Sequence, residues 1–249
     1  MAKSIAFIHH KGGTGKTTSC INIAGYLAKA GKRVLVVDLD PQGNSTAGLG
    51  INKNLLQQTI ANVFLDNYPL KHTILKTDFD NIHLVPSNSD LAYVELNTKS
   101  GWLIKQSLEQ VKGNYDYILI DTPPNFGRLM ISGIVASNHI IVAMDPGIFA
   151  LEGMQDLQVV LENIKKETNI PVNISALLLT KVEKSFFGKN PSKEIEQSLR
   201  NEWGEKAFSV PKDNSVYESQ LLGMPLSHYR PYSKAGNMYR TIAEEIMRW

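Results

Sequence analysis

Between Ile5 and Ala28 the chain changes its hydrophobic period within a few residues. Ile5-Ala6-Phe7-Ile8 is an unbroken apolar run, the pattern of a strand buried on both faces. His10-Lys11-Gly12-Gly13-Thr14-Gly15-Lys16-Thr17-Thr18 follows. Then Cys20-Ile21-Asn22-Ile23-Ala24 and Tyr26-Leu27-Ala28 place apolar residues at the spacing of one helix face. Strand, glycine-rich turn, helix is the start of an α/β unit, and the turn suits a bound phosphate. Glycines let the backbone curl so that successive N–H groups point inward. The helix N-terminus adds the positive end of its dipole, and Lys16 adds a full charge. Thr17 is placed to offer its hydroxyl to a Mg²⁺ ion.

The usual phosphate-loop pattern, Gly-x-x-x-x-Gly-Lys-Ser/Thr, is not met in full, because His10 stands at the first glycine position. Lys-Gly-Gly-x-Gly-Lys-Thr stands instead, with a second lysine, Lys11, near the start of the loop. His9 and His10 are expected on opposite faces of the strand end. They are therefore poorly placed to share a metal ion and read as packing residues.

Beyond the loop, strands and helices alternate. Gly31 is expected to close the first helix. Arg33-Val34-Leu35-Val36-Val37-Asp38 reads as a buried parallel strand ending in Asp38-Leu39-Asp40-Pro41-Gln42-Gly43-Asn44, and α/β sheets place ligands at such strand ends. Further helices are expected near Thr59–Leu65, over 88–113 with a break at Ser100-Gly101, and over 129–136, 151–167, 192–203, 215–222 and 234–248. Further strands are expected at 82–86, 115–121, 139–144 and 172–180. The strand Tyr115-Asp116-Tyr117-Ile118-Leu119-Ile120 ends in Asp121-Thr122-Pro123-Pro124, the form of a Walker B strand whose carboxylate holds Mg²⁺ through water. The pattern predicts one doubly wound, mainly parallel α/β domain over residues 1–249, with helices on both faces of the sheet. No helix-turn-helix domain is expected before the loop.

Composition narrows the function. The chain has 249 residues and a net charge of +2, so no global field marks it as a nucleic-acid binder. Its single cysteine, Cys20, excludes an intramolecular disulfide or a cluster held by several thiolates of one chain, and suits a reducing cytosol. No apolar run approaches the roughly 20 residues that span a bilayer. Charge is uneven, however. Residues 1–37 carry Lys3, Lys11, Lys16, Lys29, Lys32 and Arg33 and no acid, and residues 219–243 carry Arg230, Lys234 and Arg240 and no acid. The first gap fits a polyphosphate. The second fits either a nucleic-acid backbone or a solvated surface.

The loop at 11–18, Asp38 to Asn44, and Asp121-Thr122-Pro123-Pro124 together resemble the deviant Walker A ATPases, and within them the ParA/Soj partition proteins of the ParA/MinD superfamily. Ala150-Leu151-Glu152-Gly153 and Tyr239-Arg240-Thr241-Ile242-Ala243-Glu244-Glu245 are also similar to that family. The resemblance implies the deviant P-loop fold and an ATP-dependent homodimer that hydrolyses ATP weakly alone. It implies Mg²⁺ as cofactor, non-specific DNA and a ParB-like stimulating protein as partners, and a cytoplasmic, nucleoid-associated location.

Residue by residue, the resemblance assigns Lys16 to the β- and γ-phosphates, with Gly12, Gly13, Thr14 and Gly15 around them. Thr17 goes to Mg²⁺ and Thr18 to the α-phosphate. Lys11 is the lysine that reaches the partner subunit's nucleotide, Asp40 orients the attacking water, and Asp121 is the Walker B acid. Pro211 lies near the adenine. Asp38 either helps hold Mg²⁺ through water or caps the following turn. Lys184, Lys189, Lys193, Lys212, Arg230 and Lys234 are the DNA candidates. A MinD-like membrane-associated ATPase or a metabolic ATP-dependent ligase of similar fold are the alternatives. The last helix, with Glu244 and Glu245 beside its apolar stripe, argues against a stable membrane anchor.

Overall fold

A computed structural model describes residues 2–96, 102–147, 150–183 and 191–249. Its strands are β1 (Lys3–Ile8), β2 (Val34–Asp38), β3 (Leu75–Lys76), β4 (Ile82–Val85), β5 (Tyr117–Asp121), β6 (His139–Met144), β7 (Ile174–Val182) and β8 (Ala207–Pro211). All eight join one sheet in the order β3-β4-β2-β5-β1-β6-β7-β8. Every pairing is parallel except the antiparallel edge pair β3–β4. The longer helices are α1 (Lys16–Lys29), α2 (Asn44–Gly48), α3 (Ile60–Asp66), α4 (Ala92–Leu96), α5 (Leu103–Glu109), α6 (Arg128–Val135), α7 (Ala150–Thr168), α8 (Pro191–Trp203), α9 (Asn214–Leu221), α10 (Leu226–Tyr229) and α11 (Lys234–Arg248). The mainly parallel α/β fold expected from the sequence is the fold observed.

Two cores cover the two faces of the sheet, and β1 shows why its sequence is apolar throughout. Ala6 and Ile8 pack into the core that takes Leu129, Met154 and Leu157 from α6 and α7. Ile5 and Phe7 pack into the other, with Ile23 and Leu27 of α1 and Tyr239, Ile242 and Ile246 of α11. A central parallel strand is covered on both sides, so both of its side-chain rows must be apolar. Tyr239, Ile242 and Ile246 are each no more than 1% exposed, so the apolar stripe of α11 is core. No helix among the described residues is long and apolar enough to cross a membrane.

β1 lies between β5 and β6, and the chain winds outward from it in both directions. That is the topological switch of a doubly wound sheet, where the loops at the strand carboxyl ends separate and leave a crevice. Four elements were not legible in the sequence: α2, the two-residue strand β3, α10 and β8. The expected break at Ser100-Gly101 lies outside the described residues.

Candidate nucleotide site

Loop 9–15 leaves β1 and curls through two left-handed glycines, Gly13 at φ +74° and Gly15 at φ +88°, before α1 begins at Lys16. α1 has no acid in its first turn, so nothing opposes the positive end of its dipole. Lys16 is 6% exposed, and its amine donates to the Lys11 carbonyl at 3.3 Å. Burial pushes its pKa down, against the pull of Asp121 and Asp40. A buried ammonium held this way is poised for an anion.

A cleft of about 760 Å³ opens above the loop. Gly12 to Thr18 form its floor, Asp40, Gln42 and Asn44 one wall, and Val210, Pro211, Lys212, Asp213 and Asn214 another. The structure therefore brings loop, strand-end acid and the segment around Pro211 together around one cleft. Thr18 Oγ1 accepts from Gln220 Nε2 at 2.8 Å, a contact from α9 that sequence did not suggest. A second groove of about 840 Å³ lies at the amino ends of β6 and β7, with His139, Trp203 and Trp249 in its walls. It holds none of the motif residues.

Asp38 and Asp121 are fully buried and adjacent in register, yet their oxygens are used differently. Asp38 Oδ1 accepts from Asp40 N at 3.1 Å, and Oδ2 accepts from Thr46 N and Thr46 Oγ1, each at 2.8 Å. It fastens the turn and the start of α2. Of the two roles open for Asp38, capping is the one its geometry displays, because both its oxygens are engaged. Asp121 Oδ2 accepts from Ser45 Oγ at 2.8 Å, while Oδ1 is buried with no hydrogen-bond partner. Burial raises the pKa of Asp121, and the hydroxyls of Thr17 and Ser45 with Lys16 pull it down. A free carboxylate oxygen beside the Thr17 hydroxyl is a hard-oxygen donor set that fits Mg²⁺.

Asp40 is 6% exposed and follows β2 by two residues. Its Oδ1 accepts from Gln42 N at 2.9 Å. Lys11 lies outside the cleft lining; its side chain is 53% exposed, with its amine 4.0 Å from Asp145 Oδ1. His9 and His10 correct an expectation. Their rings stack at 4.7 Å instead of pointing apart, because β1 ends at Ile8 and strand alternation stops there. His10 stacks in turn on Phe126 at 4.8 Å, and His9 Nδ1 accepts the Lys11 N–H at 3.0 Å.

The late acid-free stretch of sequence is not an acid-free surface. Arg230 pairs with Glu218 at 3.4 Å, Lys212 pairs with Glu183 at 2.6 Å, and Arg240 lies 3.9 Å from Glu244. Lys212 also lines the nucleotide cleft. Lys193 and Lys234 are exposed and pair with no carboxylate among the described residues. Lys184 and Lys189 lie outside the described residues.

A central parallel strand feeding a glycine loop, a buried lysine and a strand-end acid define a phosphate-loop nucleotide-binding protein of the α/β class. Comparison with known proteins sharpens this. Residues 2–174 match the family described as AAA domain. The chain is similar to the sporulation initiation inhibitor protein Soj of Bacillus subtilis, 34% identical over 99% of this chain and 98% of that one. It is also similar to the chromosome-partitioning ATPase Soj of Thermus thermophilus, 34% identical over 98% and 95%. Among solved structures, cobyrinic acid a,c-diamide synthase from Mycobacterium smegmatis, with a bound ATP analogue and magnesium, superposes with a TM-score of 0.86. That pair is 25% identical, with 100% of this chain and 95% of that chain covered. The chain belongs to this AAA-domain family and, within it, to the ParA/Soj-type ATPases of the ParA/MinD superfamily.

Proposed function

We propose that this chain is an ATPase that dimerises on ATP and uses the dimer to bind DNA without sequence preference. On this reading it helps to partition or position DNA or another large cargo. The observation that carries the reading is the placement of two lysines from one loop. Lys16 is buried in the cleft, whereas Lys11 stands outside it and half-exposed. A loop that supplies one charge to its own cleft and presents another outward suits a site completed by a second copy.

Phosphoryl transfer needs neutralised charge and an aligned water more than covalent chemistry. Lys16 holds the β- and γ-phosphates, with the amides of the loop around them. A Mg²⁺ ion held by Thr17 and, through water, by Asp121 would supply charge neutralisation at the phosphates. Asp40, at the cleft wall, orients the attacking water and accepts its proton. Lys11 of the second copy adds the remaining charge at the γ-phosphate, a contribution of the kind worth roughly 10³–10⁵-fold in other nucleotide hydrolases. Thr18 sits toward the α-phosphate and Pro211 toward the adenine.

Support for the partition role comes from the Soj relatives, whose similarity runs along nearly the whole chain. The DNA-facing groups proposed are Lys184, Lys189, Lys193 and Lys234. Lys212 and Arg230, held by acids, contribute less. A ParB-like protein is the proposed stimulating partner, and the nucleoid the proposed location. The deciding experiment follows phosphate release with and without DNA and a ParB-like partner. Stimulation by both together supports the reading, and indifference to both removes it. A ligase reading, favoured by the similarity to a diamide synthase, instead requires turnover that depends on a small carboxylic acid.

A further inference from the structure

We infer that Thr180 and Lys181, at the end of β7, are positioning residues of the phosphate loop that aim the amides of Thr14 and Gly15 into the cleft. The inference rests on the nucleotide reading above and extends it to residues outside the loop motif. Thr180 Oγ1 donates to the Thr14 carbonyl at 2.8 Å. Lys181 Nζ donates to the Gly13 carbonyl at 2.6 Å. These carbonyls belong to consecutive peptide groups.

A trans peptide points its C=O and its N–H in opposite directions, and no cis peptide occurs among the described residues. Pulling the Gly13 carbonyl toward β7 therefore turns the Thr14 N–H away from β7. Pulling the Thr14 carbonyl the same way does the same for the Gly15 N–H. Neither amide has a hydrogen-bond partner among the described residues. Two adjacent, unpaired N–H groups turned to one side form the concave anion site that a polyphosphate needs.

β7 is deformed in the way this task demands. Consecutive residues of a regular strand point to opposite faces, so Thr180 and Lys181 could not both reach one loop. Here the β7–β8 register shifts between Leu179 and Val182, and Lys181 has φ +56°. A lysine in the left-handed region is strained, and such strain persists where surrounding contacts hold it, often at functional sites. The contact to Gly13 is what this one achieves. Thr180 also approaches so closely that a Cβ at Gly15 would lie 3.0 Å from its Cγ2, which ties the glycine of the loop to the threonine of the strand. Lys181 lines the cleft and pairs with no carboxylate among the described residues, whereas Glu183, two residues on, is taken by Lys212.

The test compares Thr180→Val and Lys181→Met with the donor-keeping variants Thr180→Ser and Lys181→Arg. Affinities for Mg-ADP and for adenosine are measured by competition against a fluorescent adenine nucleotide. The expected result is a fall of about tenfold in the ratio of ADP to adenosine affinity for each donor-deleting variant, as loss of one oriented hydrogen bond gives. Thr180→Ser and Lys181→Arg should stay near the parent. Lys181 is exposed, so Lys181→Met keeps the test open if Thr180→Val folds poorly, and melting without nucleotide monitors this. An unchanged ratio in both donor-deleting variants, with ADP binding lost in Lys16→Ala, overturns the inference and leaves the nucleotide reading standing. So does an equal fall in ADP and adenosine affinity. If Lys16→Ala binds ADP as the parent does, the nucleotide reading falls and this inference with it.

Discussion

Asp38 of β2 and Asp121 of β5 are direct partners in a parallel register, sealed from solvent, and only Asp121 keeps an oxygen free. Burial lifts both carboxyls above their ordinary range, and for Asp38 the charge of Asp121 adds to the rise. Three donors from Asp40 and Thr46 reward an acceptor at position 38. Among the described residues the second oxygen of Asp121 has no hydrogen-bond partner, and burial outweighs the pull of Thr17, Ser45 and Lys16, so its charge is retained at a net cost to the folded state, as a ligand-holding group would be.

Asp121→Asn should therefore raise the stability of the nucleotide-free protein by about 1–3 kcal/mol near neutral pH. The sign follows from linkage. A carboxyl whose folded pKa is raised binds more protons folded than unfolded, so the parent loses stability as pH rises from about 4 through the raised value. The variant should be flatter over that window. It should also lose the Mg²⁺-dependent part of its ATP affinity. Denaturant melts across pH and titrations with and without Mg²⁺ read both; a less stable variant with intact Mg²⁺ dependence contradicts the assignment.

Asp38→Ala should behave in the opposite way. It leaves the backbone N–H and hydroxyl of Thr46 without their acceptor, a loss of about 1–3 kcal/mol for buried donors. Affinity for Mg-ATP should stay within a few-fold of the parent. Loss of Mg²⁺ dependence at unchanged stability would make Asp38 a metal-side residue instead.

His9 sets an acid limit. Its pKa falls to about 4, because burial disfavours the imidazolium and the neighbouring His10 and Lys16 oppose its charge. A histidine with a depressed folded pKa gives stability that is full above its unfolded pKa, about 6.5. That stability is lost as pH falls toward the folded value. His9→Asn should remove that acid-side loss relative to the parent between those two pH values. Parallel melting curves for the two proteins across this range would refute it.

Salt dependence tests the proposed DNA surface. Each lysine that contacts a phosphate contributes roughly one unit to the slope of log affinity against log salt. Lys193→Ala and Lys234→Ala should each flatten the slope of the ATP-bound protein, and Arg230→Ala, whose guanidinium already serves Glu218, should change it less. Equal slopes for the parent and both lysine variants would place the DNA surface elsewhere.

The alternation of strands and helices was legible because buried parallel strands are apolar on both faces, as β1, β2 and β5 are. β8 was not, because Ala207-Phe208-Ser209-Val210-Pro211 mixes polar and apolar residues and ends in proline. α2 was hidden for a different reason: Asn44-Ser45-Thr46-Ala47-Gly48 has no apolar face, and its start is fixed by Asp38 from another element. The loop lysines and strand-end acids stood out by residue type. Thr180 and Lys181 did not, since their contribution depends on a register shift that no local pattern encodes. The acid-free stretch at 219–243 does not stand alone in the fold, because Glu218 reaches Arg230 from just outside it. Stacking of His9 on His10 is not legible from strand alternation, because both residues lie past the end of β1 at Ile8.

On the proposed function, one chain holds half of an ATP-gated dimer, with Lys11 reaching the other copy. Sedimentation of Asp40→Ala, alone and combined with Lys11→Ala, in Mg-ATP and in Mg-ADP tests it most directly. Asp40→Ala should form a stable dimer in ATP and stay a monomer in ADP, and the double variant should be a monomer in both nucleotides while still binding ATP. A dimer that forms equally well without Lys11, or equally well in ADP, would contradict it.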